Sequence, residues 1–549
     1  MRGFRHRKLP RLLSAVSSGL NLKAYEDWQS NHRHYQRDAV ESMEGVDKGQ
    51  ISIPTGTGKT RIQVDLLISD MIKKTQEGTS GIYGIGAHRL LLCAQLLDDL
   101  VDISMLTGLE FDILFVGSAR RDVNDYNSRY KSSNANIRGE YTTRSEVIEK
   151  FALESRSSGR HLILVSTYHS ISRLESLGEI DIFTADEAHN IEITVFKKNY
   201  TKIYDNIKRK FFFTATREIL GDHLGMNDFQ FYGDLLYAES PRNMIERMEI
   251  VLPIVQQIDT TDTLKNYTND NMMVRTVING FEQHEMALKK VSAEPDKIAA
   301  KMMVSAEFNT QKIKAIYDDD NFISFCKDNN IKAFMFSSSQ GGDYRVNFKL
   351  TTRKNIMKEM NSLKDTDKAI FIHIDILSEG IDLPSITAIL PFREMNEIKM
   401  IQTLGRGARL LKEDRESYYK GIITAQEVQN FKAGKPHFLI KPCFFVLLSV
   451  YYENLNGAFW KDMVRKIYTT YGYSAIRVTP SDQGISIKYD ELDNITDRLH
   501  EKKGAVTELD QIFFDIFRER RELEMDNLET AEDFESFIEK YNLNERTAP

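Results

Sequence analysis

The eight residues Ile53–Thr60, which read IPTGTGKT, constrain the fold of this chain more than any other segment. A short apolar run precedes them, and the helical pattern Arg61–Ile72 follows. Gly56 and Gly58 permit a turn whose backbone N–H groups, with the N-terminus of the helix, point at one anion. Lys59 can then reach the phosphates of a nucleotide. The pattern predicts a strand, a phosphate-binding loop and a helix; the alternative is a glycine-rich turn that caps an ordinary helix.

The loop departs from the general motif G-x-x-x-x-G-K-S/T at one position, because Ile53 stands where the first glycine belongs. The hydroxyl of Thr60 is suited to bind Mg²⁺. The loop residues expected to contact a nucleotide are Thr55, Gly56, Thr57, Gly58, Lys59 and Thr60.

Composition narrows the class of protein. A length of 549 residues predicts two to four domains, and 41% apolar with 28% charged residues is typical of globular chains. The net charge of −7 excludes a generally basic surface, so any contact with nucleic acid must lie in a local groove. The three cysteines, Cys93, Cys326 and Cys443, are far apart, which argues against a zinc module or a disulfide framework. We find no apolar run long enough to span a bilayer and expect no membrane contact.

The N-terminal segment allows two interpretations. Residues 1–25 contain six lysines and arginines and no acidic residue. Such a composition is typical of a mitochondrial presequence, and equally of a basic arm or first helix beside a nucleic-acid groove.

Beyond the loop, short apolar runs alternate with helical patterns. The predicted strands are Gly81–Gly86, Phe111–Val116, Leu162–Ser166, Ile180–Ala185 and Lys210–Phe213. Alternation of this kind predicts a parallel sheet covered by helices, with ligands bound beyond the carboxyl ends of the strands. The polar stretch Ser118–Gly139 is expected to be a surface insertion.

Polar residues follow several of these predicted strands. Asp186 and Glu187 come directly after one of them, where an aspartate can hold Mg²⁺ and a glutamate can polarise an attacking water. Thr214 and Thr216 follow the next strand, where their hydroxyls can relay the state of one ligand to another. Upstream of the loop, the amide of Gln36 matches the donor and acceptor of the adenine Hoogsteen edge.

The second half of the chain continues the alternation. The predicted strands here are Lys301–Ala306, Ile331–Phe336 and Ile370–Ile374. Two motif segments follow them: Leu377–Pro384, which reads LSEGIDLP, and Gln402–Arg409, which reads QTLGRGAR. Two arginines three positions apart on a helix share one face. Arg406 and Arg409 can therefore enter one cleft and bind phosphate oxygens in bidentate fashion, whereas arginine pairs elsewhere are usually surface residues.

In this order and spacing, the motifs resemble those of superfamily-two DExH/DEAH-box helicases and translocases across residues 30–430. The likeness is strongest to phage and bacterial DNA helicases and restriction motor subunits. The resemblance implies ATP and Mg²⁺ as cofactors, with Thr60 and Asp186 as metal ligands. It implies a catalytic set consisting of Lys59, Asp186, Glu187, Gln402, Arg406 and Arg409. Further implied nucleotide contacts are Gln36, Gly380 and Asp382. The implied nucleic-acid contacts are His88, Arg89, Thr167, Tyr168, Ser337 and Ser378, and the implied coupling residues are His189, Thr214 and Thr216.

The expected fold class is α/β, with two RecA-like parallel-sheet lobes in tandem and a small α+β C-terminal domain. The expected segments are a basic arm at 1–29, a first lobe at 30–250, a helical connector at 251–300, a second lobe at 301–435 and an accessory domain at 436–549. The accessory domain is expected to bind a protein partner. Its apolar stretch Pro436–Tyr452 has a second interpretation, as part of the core of the second lobe.

The expected function is ATP-driven movement on nucleic acid through backbone contacts, with DNA preferred over RNA by analogy with the family. One alternative is the motor subunit of a restriction or phage-defence complex; others are an RNA helicase and a non-hydrolysing clamp. The resemblance to phage and bacterial proteins favours the basic arm and a cytoplasmic, nucleoid-associated protein over a mitochondrial matrix protein.

Overall fold

The structure is a computed structural model of the full chain. It describes residues 19–88, 90–117, 138–217, 225–258, 269–305, 310–336, 343–373, 385–392, 397–449, 467, 471, 474–481 and 484–491. The chain divides into two compact units, the first extending to Glu239 and the second beginning at Ser240, with Thr55–Thr57 grouped with the second.

The first unit is built on one sheet of eight parallel strands. Its strands are β1 (Lys48–Ser52), β2 (Ile82–Ala87), β3 (Phe111–Val116), β4 (Arg138–Thr142), β5 (His161–Thr167), β6 (Ile180–Asp186), β7 (Ile207–Thr214) and β8 (Asp234–Ala238). Their order in the sheet is β4-β3-β5-β2-β6-β7-β1-β8. The helices of this unit are α1 (Leu22–Ser30), α2 (His34–Ser42), α3 (Lys59–Gln76), α4 (Leu90–Thr107), α5 (Ser145–Ser157), α6 (Thr194–Tyr204) and α7 (Phe229–Tyr232).

Successive residues of the central strands are buried, which shows that both faces of the sheet are covered. All six residues of β3 are buried, as are Phe211, Phe212 and Phe213 of β7. Because side chains along a strand alternate between the two faces, this pattern requires packing on each side. In β2, a Cβ on Gly84 would lie 2.0 Å from the ring of Phe183, so only glycine allows this ring to cover the strand.

The N-terminal helix α1 is fixed to the first unit by a buried polar group. The Tyr25 hydroxyl donates to Asp65 of α3 at 2.5 Å, and the Gln29 amide donates to the same carboxyl at 2.9 Å. Burial raises the pKa of Asp65 and the hydrogen bonds from Tyr25 partly offset that rise. Residues 22–29, expected to belong to a basic arm, are thus part of the first unit.

The five strands predicted in the first half are all present, with ends shifted by at most three residues. Two strands were not predicted, β4 and β8, and both lie at the edges of the sheet. Arg138 and Gly139, assigned to a surface insertion, form the start of β4. The rest of that stretch lies outside the described residues.

The second unit contains a ten-stranded mixed sheet of order β13-β12-β11-β14-β10-β15-β16-β9-β17-β18. Its strands are β9 (Leu252–Ile258), β10 (Lys301–Ser305), β11 (Lys332–Phe336), β12 (Tyr344–Val346), β13 (Lys349–Thr351), β14 (Ala369–His373), β15 (Ala388–Pro391), β16 (Cys443–Ser449), β17 (Ser474–Ser481) and β18 (Gly484–Glu491). Its helices are α8 (Pro241–Glu246), α9 (Asn269–Val291), α10 (Thr310–Tyr317), α11 (Asp320–Asp328), α12 (Arg353–Asn361), α13 (Glu397–Gly407), α14 (Lys412–Tyr419) and α15 (Gln426–Lys432). The strands from β11 to β17 are parallel, and antiparallel pairs form both ends.

Two expected domain boundaries differ from the structure. The helical connector at 251–300 contains α9 but begins with β9, a strand inside the second sheet. This strand was not predicted because Pro253 and the polar Gln256 interrupt its apolar pattern, although Gln256 is only 1% exposed in the structure. The expected end of the second lobe at residue 435 would exclude β16 from the second sheet. In the structure, β16 lies inside that sheet, between β15 and β9. The position of β16, Cys443–Ser449, favours the second interpretation of Pro436–Tyr452, as part of the core of the second lobe.

The described strands β17 and β18, within the segment expected to be an accessory domain, extend the second sheet. Ser481 pairs with Gly484 where β17 and β18 meet. Among the helices of the described ranges, none has the length and apolar character needed to span a membrane.

Candidate nucleotide-binding site

The loop between β1 and α3 has the backbone geometry of a phosphate-binding turn. Ile53 N–H donates to the Thr214 carbonyl of the neighbouring strand β7 at 3.0 Å, which fixes the start of the loop. Gly56 and Gly58 adopt φ of +85° and +89°, and α3 begins directly after Gly58. These left-handed angles are unfavourable for any residue with a Cβ. The loop therefore runs directly into the N-terminus of an 18-residue helix, where backbone N–H groups are available to bind an anion.

Lys59, the first residue of α3, is buried next to an acidic group. Its Nζ donates to the Ile53 carbonyl at 3.3 Å and lies 3.9 Å from Oε1 of Glu187. The side chain is 8% exposed. The ammonium is held between loop and carboxylate, within reach of an anion bound by the loop.

Asp186 ends β6, and two hydrogen bonds position it. Gln63 of α3 donates from Nε2 to Asp186 Oδ1 at 3.1 Å, and the Tyr168 hydroxyl donates to the Asp186 carbonyl at 2.7 Å. Burial and the charge of Glu187 raise the pKa of Asp186 to about 6, while the Lys59 ammonium acts in the opposite direction. A divalent cation would stabilise the ionised form of a carboxylate in such an environment.

Glu187 adopts a strained backbone conformation. Its φ of +48° places it in the left-handed region, which is uncommon for residues other than glycine. Its side chain is largely buried, with Oε1 facing Lys59 and Oε2 lying 3.6 Å from Nδ1 of His189. Strain of this kind costs of order 1–3 kcal/mol and persists only where the surroundings fix it. In this site, the left-handed backbone of Glu187, directly after β6, directs its carboxylate toward Lys59 and the phosphate-binding loop.

His189 joins this carboxylate to the end of β7. Its Nδ1 is 2.9 Å from Thr214 Oγ1, which donates its proton to the Thr216 carbonyl at 2.6 Å and accepts the Thr216 N–H at 3.1 Å. Because the hydroxyl has one proton, Nδ1 must be the donor to Thr214. Nε2 then accepts from Asn190 Nδ2 at 3.1 Å, which fits the neutral tautomer with the proton on Nδ1.

Gln36 lies beside the loop, although its amide groups already have protein partners. Oε1 accepts the N–H of Arg33 at 3.0 Å, and Nε2 contacts the Gly58 carbonyl at 3.4 Å. A Cβ on Gly58 would lie 2.5 Å from this amide nitrogen. The predicted contact with adenine remains a prediction; in the structure, Gln36 caps α2 and supports the loop.

Tyr168 differs from its predicted role. It was expected to contact nucleic acid, but its side chain is completely buried against Phe196, with the hydroxyl bonded to the backbone of Asp186. The two other expected contacts in the described part of this unit lie at strand ends and are half-buried: His88 follows β2, and Thr167 ends β5. His88 Nδ1 is 3.4 Å from Asn190 Nδ2, next to His189.

In the second unit, Gln402 and Arg406 lie on α13 and are buried. Arg409 follows the helix and pairs its backbone with Ile250 in an isolated bridge. Burial, with a contribution from the charge of Arg415, lowers the pKa of Arg409 to about 10. The predicted residues Arg89, Ser337, Ser378, Gly380 and Asp382 lie outside the described residues.

Sequence reasoning did not identify two positioning side chains in this site, Gln63 and the hydroxyl of Tyr168. Gln63 lies four residues after Lys59, on the same face of α3, so helical spacing could have indicated it. The orientation of Tyr168 depends on the packing of β5 against α6, which motif spacing does not contain.

The residues present fit a nucleoside triphosphate with Mg²⁺. The loop supplies backbone N–H groups and the buried Lys59 ammonium for phosphate oxygens, and Asp186 supplies an oxygen ligand of the type Mg²⁺ prefers. Thr60 is half-buried at the start of α3, in the position expected of a second ligand. Glu187 provides a carboxylate beside them that can accept a proton.

Comparison with known proteins agrees with this geometry. Residues 29–219 match the family described as "Type III restriction enzyme, res subunit". No curated protein matches the chain in sequence. Among solved structures, an "ATP-dependent Type ISP restriction-modification enzyme LlaBIII bound to DNA" matches at 16% identity and a TM-score of 0.55, over 80% of this chain and 30% of that one.

Two further structures match with TM-scores below 0.5. The Type ISP restriction-modification enzyme LlaGI, solved with a DNA substrate mimic, gives 0.49 at 16% identity over 80% of this chain and 29% of that one. A putative HsdR subunit of a type I restriction enzyme from Vibrio vulnificus gives 0.45 at 15% identity over 84% of this chain and 72% of that one. The chain spans less than a third of the length of the two Type ISP enzymes.

The predicted α/β fold class is confirmed: two RecA-like units, each built on a largely parallel sheet, follow one another along the chain. The family match, over residues 29–219, includes the loop, Asp186 and Glu187. By its family match and its fold, the chain is similar to the superfamily-two helicases and restriction motor subunits, as the order of its motifs predicted.

Proposed function

We propose that this protein is an ATP-dependent helicase or translocase that moves along DNA. One observation carries the proposal: Lys59, Asp186 and Glu187 converge at the phosphate-binding loop, with Lys59 Nζ 3.9 Å from Glu187. A buried ammonium beside two carboxylates, one of which ends a strand, is the arrangement that phosphoryl transfer to water requires. An ordinary glycine turn before a helix would need none of these groups.

Bound ATP with Mg²⁺ supplies the phosphoryl group and the metal charge that the site would use. Lys59 and the loop N–H groups would hold the phosphates, and Thr60 and Asp186 would hold the cation. Glu187 orients the attacking water and accepts its proton. The adjacent His189, with its proton on Nδ1, donates to Thr214 and so links the carboxylate to the end of β7.

Arg406 and Arg409 are proposed to stabilise the charge that develops on the transferring phosphate. A guanidinium presents a planar fork of donors to phosphate oxygens, and arginine fingers raise turnover by about 10³–10⁵. Gln402, one helical turn before Arg406 on α13, is proposed to help orient the water. These assignments follow the family resemblance of the segment QTLGRGAR.

The proposed substrate is the DNA backbone. His88 follows β2 and Thr167 ends the neighbouring parallel strand β5, at the carboxyl edge of the sheet where ligands bind. Contacts by hydroxyl, imidazole and backbone groups allow a chain of net charge −7 to hold a polyanion without reading its sequence. DNA is preferred over RNA because the LlaBIII structure, which shares the fold, is described as bound to DNA.

An ATPase assay tests the proposal. Turnover is measured without nucleic acid and with single-stranded, duplex, forked and four-way DNA or with RNA. We expect stimulation by at least one form of DNA, with RNA less effective. Stimulation by RNA alone would replace DNA with RNA as the substrate, and an inactive protein that still binds nucleotide would indicate a clamp.

Two substitutions connect that activity to the site. Lys59→Ala should weaken nucleotide binding and abolish turnover, whereas Glu187→Gln should bind ATP and not hydrolyse it. Lys74→Ala is the matched control, since Lys74 lies on the same helix but pairs with Asp181 at 3.0 Å. Turnover in Glu187→Gln equal to that of the unmodified protein would remove Glu187 from the mechanism.

A second candidate function is the motor subunit of a restriction or defence complex. The observation that favours it is the match of residues 29–219 to a family described as a restriction enzyme subunit. In that case the motor would serve a nuclease or a recognition protein. Weak stimulation by DNA alone, with strong stimulation after a cognate partner is added, would favour this candidate.

A further inference from the structure

A buried lysine holds the chain segment that carries the two arginines. Lys441 precedes β16 and is fully buried, and its Nζ donates to the carbonyls of Gly407 and Arg409, each at 2.8 Å. Gly407 is the last residue of α13, and Arg406 immediately precedes it. One ammonium therefore joins the end of the helix to the backbone of the second arginine.

The placement of Lys441 is itself fixed. The carboxyl of Asp414, which is 1% exposed, accepts the N–H of Ile440 at 2.9 Å and that of Lys441 at 2.8 Å. Across the same segment, Val251 N–H donates to the Ala408 carbonyl at 2.8 Å. Three consecutive carbonyls, from residue 407 to residue 409, are thus held by groups from outside the helix.

Close packing leaves little alternative space for this turn. A Cβ on Gly407 would lie 2.4 Å from the ring of Phe444, so the end of α13 lies directly on β16. The last carbonyls of a helix have no partner within the helix and are stabilised by a cation near the C-terminus. Lys441 supplies hydrogen bonds to two of these carbonyls.

This arrangement is costly, which argues that it does more than fill space. Burial, together with the charges of Lys301 and Arg409, lowers the pKa of Lys441 to about 7, against the opposing effects of Cys443 and Asp414. An apolar side chain at this position would avoid the cost of burying an ammonium near an arginine. It would also leave the carbonyls of Gly407 and Arg409 without this donor.

We propose that Lys441 is a positioning residue for the arginine pair, fixing the backbone on both sides of the turn so that Arg406 and Arg409 keep one orientation toward the transferring phosphate. The proposal rests on the proposed function, since it gives the arginines their role in ATP hydrolysis. Lys441 does not touch the nucleotide; it acts through the path of the chain from 406 to 409. A misplacement of about 1 Å in such groups can reduce turnover by about 10²-fold.

The test compares Lys441→Met with Lys301→Met in full-length protein. Lys301 is an equally buried lysine of the same unit, but its Nζ donates to the Asp365 carbonyl at 2.7 Å rather than to the arginine segment. ATP turnover at saturating ATP and DNA, affinity for a fluorescent ATP analogue, and the folded fraction are measured on the same samples. We expect Lys441→Met to lower kcat at least tenfold per folded molecule with nucleotide affinity within about threefold, and Lys301→Met to keep kcat.

Lys441→Gln is the second variant, in case the methionine side chain prevents folding. Its amide is one atom shorter and cannot reach both carbonyls, so kcat should fall at least about threefold. Full turnover in a folded sample of either variant would overturn the proposal. So would a loss of nucleotide affinity with unchanged kcat, because a positioning residue acts on the chemical step.

A double-mutant cycle separates positioning from an independent effect. In an Arg406→Ala, Arg409→Ala background, Lys441→Met should cause no further loss of the residual turnover, since the groups that it positions are absent. A full additional tenfold loss there would refute the proposal. The proposed function fails separately: in that case unmodified protein shows no DNA-stimulated ATPase, or Arg406→Ala leaves its turnover unchanged.

Discussion

Replacing Tyr168 by phenylalanine tests whether this residue supports the site from the core or contacts nucleic acid at the surface. Its ring is fully buried and its hydroxyl donates to the Asp186 carbonyl at 2.7 Å. The substitution keeps the ring and removes this one hydrogen bond. A typical buried hydrogen bond contributes about 1 kcal/mol, and a carbonyl left unsatisfied costs about 1–3 kcal/mol. We expect the first unit to lose about 1–3 kcal/mol of stability.

In a unit of this size, each kcal/mol corresponds to about 2–4 °C in Tm, which a thermal unfolding scan resolves. ATP turnover should also fall, because Asp186 loses one of its two positioning bonds, while DNA affinity changes less than about twofold. A tyrosine that stacks on a base at the surface would give the reverse: unchanged Tm after Tyr168→Phe, and weaker DNA binding only when the ring is removed.

Two matched controls calibrate the measurement. Tyr200→Phe changes a fully buried tyrosine whose hydroxyl has no hydrogen-bond partner among the described residues, so we expect little or no loss. Tyr83→Phe removes a buried hydrogen bond to Asp70 at 2.9 Å and should lower Tm without lowering turnover. If Tyr168→Phe matches Tyr200→Phe in Tm, and Tyr168→Leu, which removes the ring, lowers DNA affinity more than fivefold, Tyr168 leaves the core in the active protein and our assignment is wrong.

Two further predictions concern titration and chain length. The folded state raises the pKa of Asp186 from 3.8 to about 6, so this group costs stability as pH rises from about 4 to about 6. At pH 7, the free energy of unfolding of Asp186→Asn should therefore exceed that of the unmodified protein by about 1–2 kcal/mol, after allowance for partial exposure of the carboxylate, and its Tm should be higher. In unfolding scans at lower pH, this difference should vanish toward pH 4. Equal Tm values at pH 7 would contradict this. A stop after Ser481 removes only β18 of the described strands and should leave a folded second unit with ATPase activity, whereas a stop after Lys435 also removes β16 and should abolish folding of that unit; limited proteolysis of both truncated proteins checks this.

The interior strands of the first sheet, and β10, β11 and β14 of the second, could be predicted because their residues repeat one simple rule. Strands buried on both faces read as nearly continuous apolar runs, as β3 and β14 do, and motif residues lie at the ends of two others, β5 and β6. The candidate site was predictable for the same reason: Lys59 follows a glycine turn and Asp186 ends a strand. The parallel sheet then brings these strand ends together.

The remaining features depend on partners distant in sequence. β9 contains Pro253 and buried Gln256, so its own residues do not mark it as an interior strand; its pairing with β16 does. The burial of Tyr168 likewise follows from the packing of Phe196, 28 residues later. Lys441 resembles any surface lysine in sequence, and its role follows from carbonyls more than 30 residues earlier.

The pairing of β9 with β16 also sets the order in which the protein can fold during synthesis. Leu252 pairs with Cys443, so 190 residues must be made between the two partners, and β9 has no neighbour in the sheet before β16 and β17 emerge. The sheet of the first unit is complete once Ala238 has left the ribosome, since its last strand is β8. β9 then has no pairing partner while about 200 further residues are translated. At about 5–20 residues per second, this interval lasts about 10–40 seconds. For that interval the nascent second unit exposes an open strand edge, so chaperone binding during translation should concentrate on chains between these two lengths.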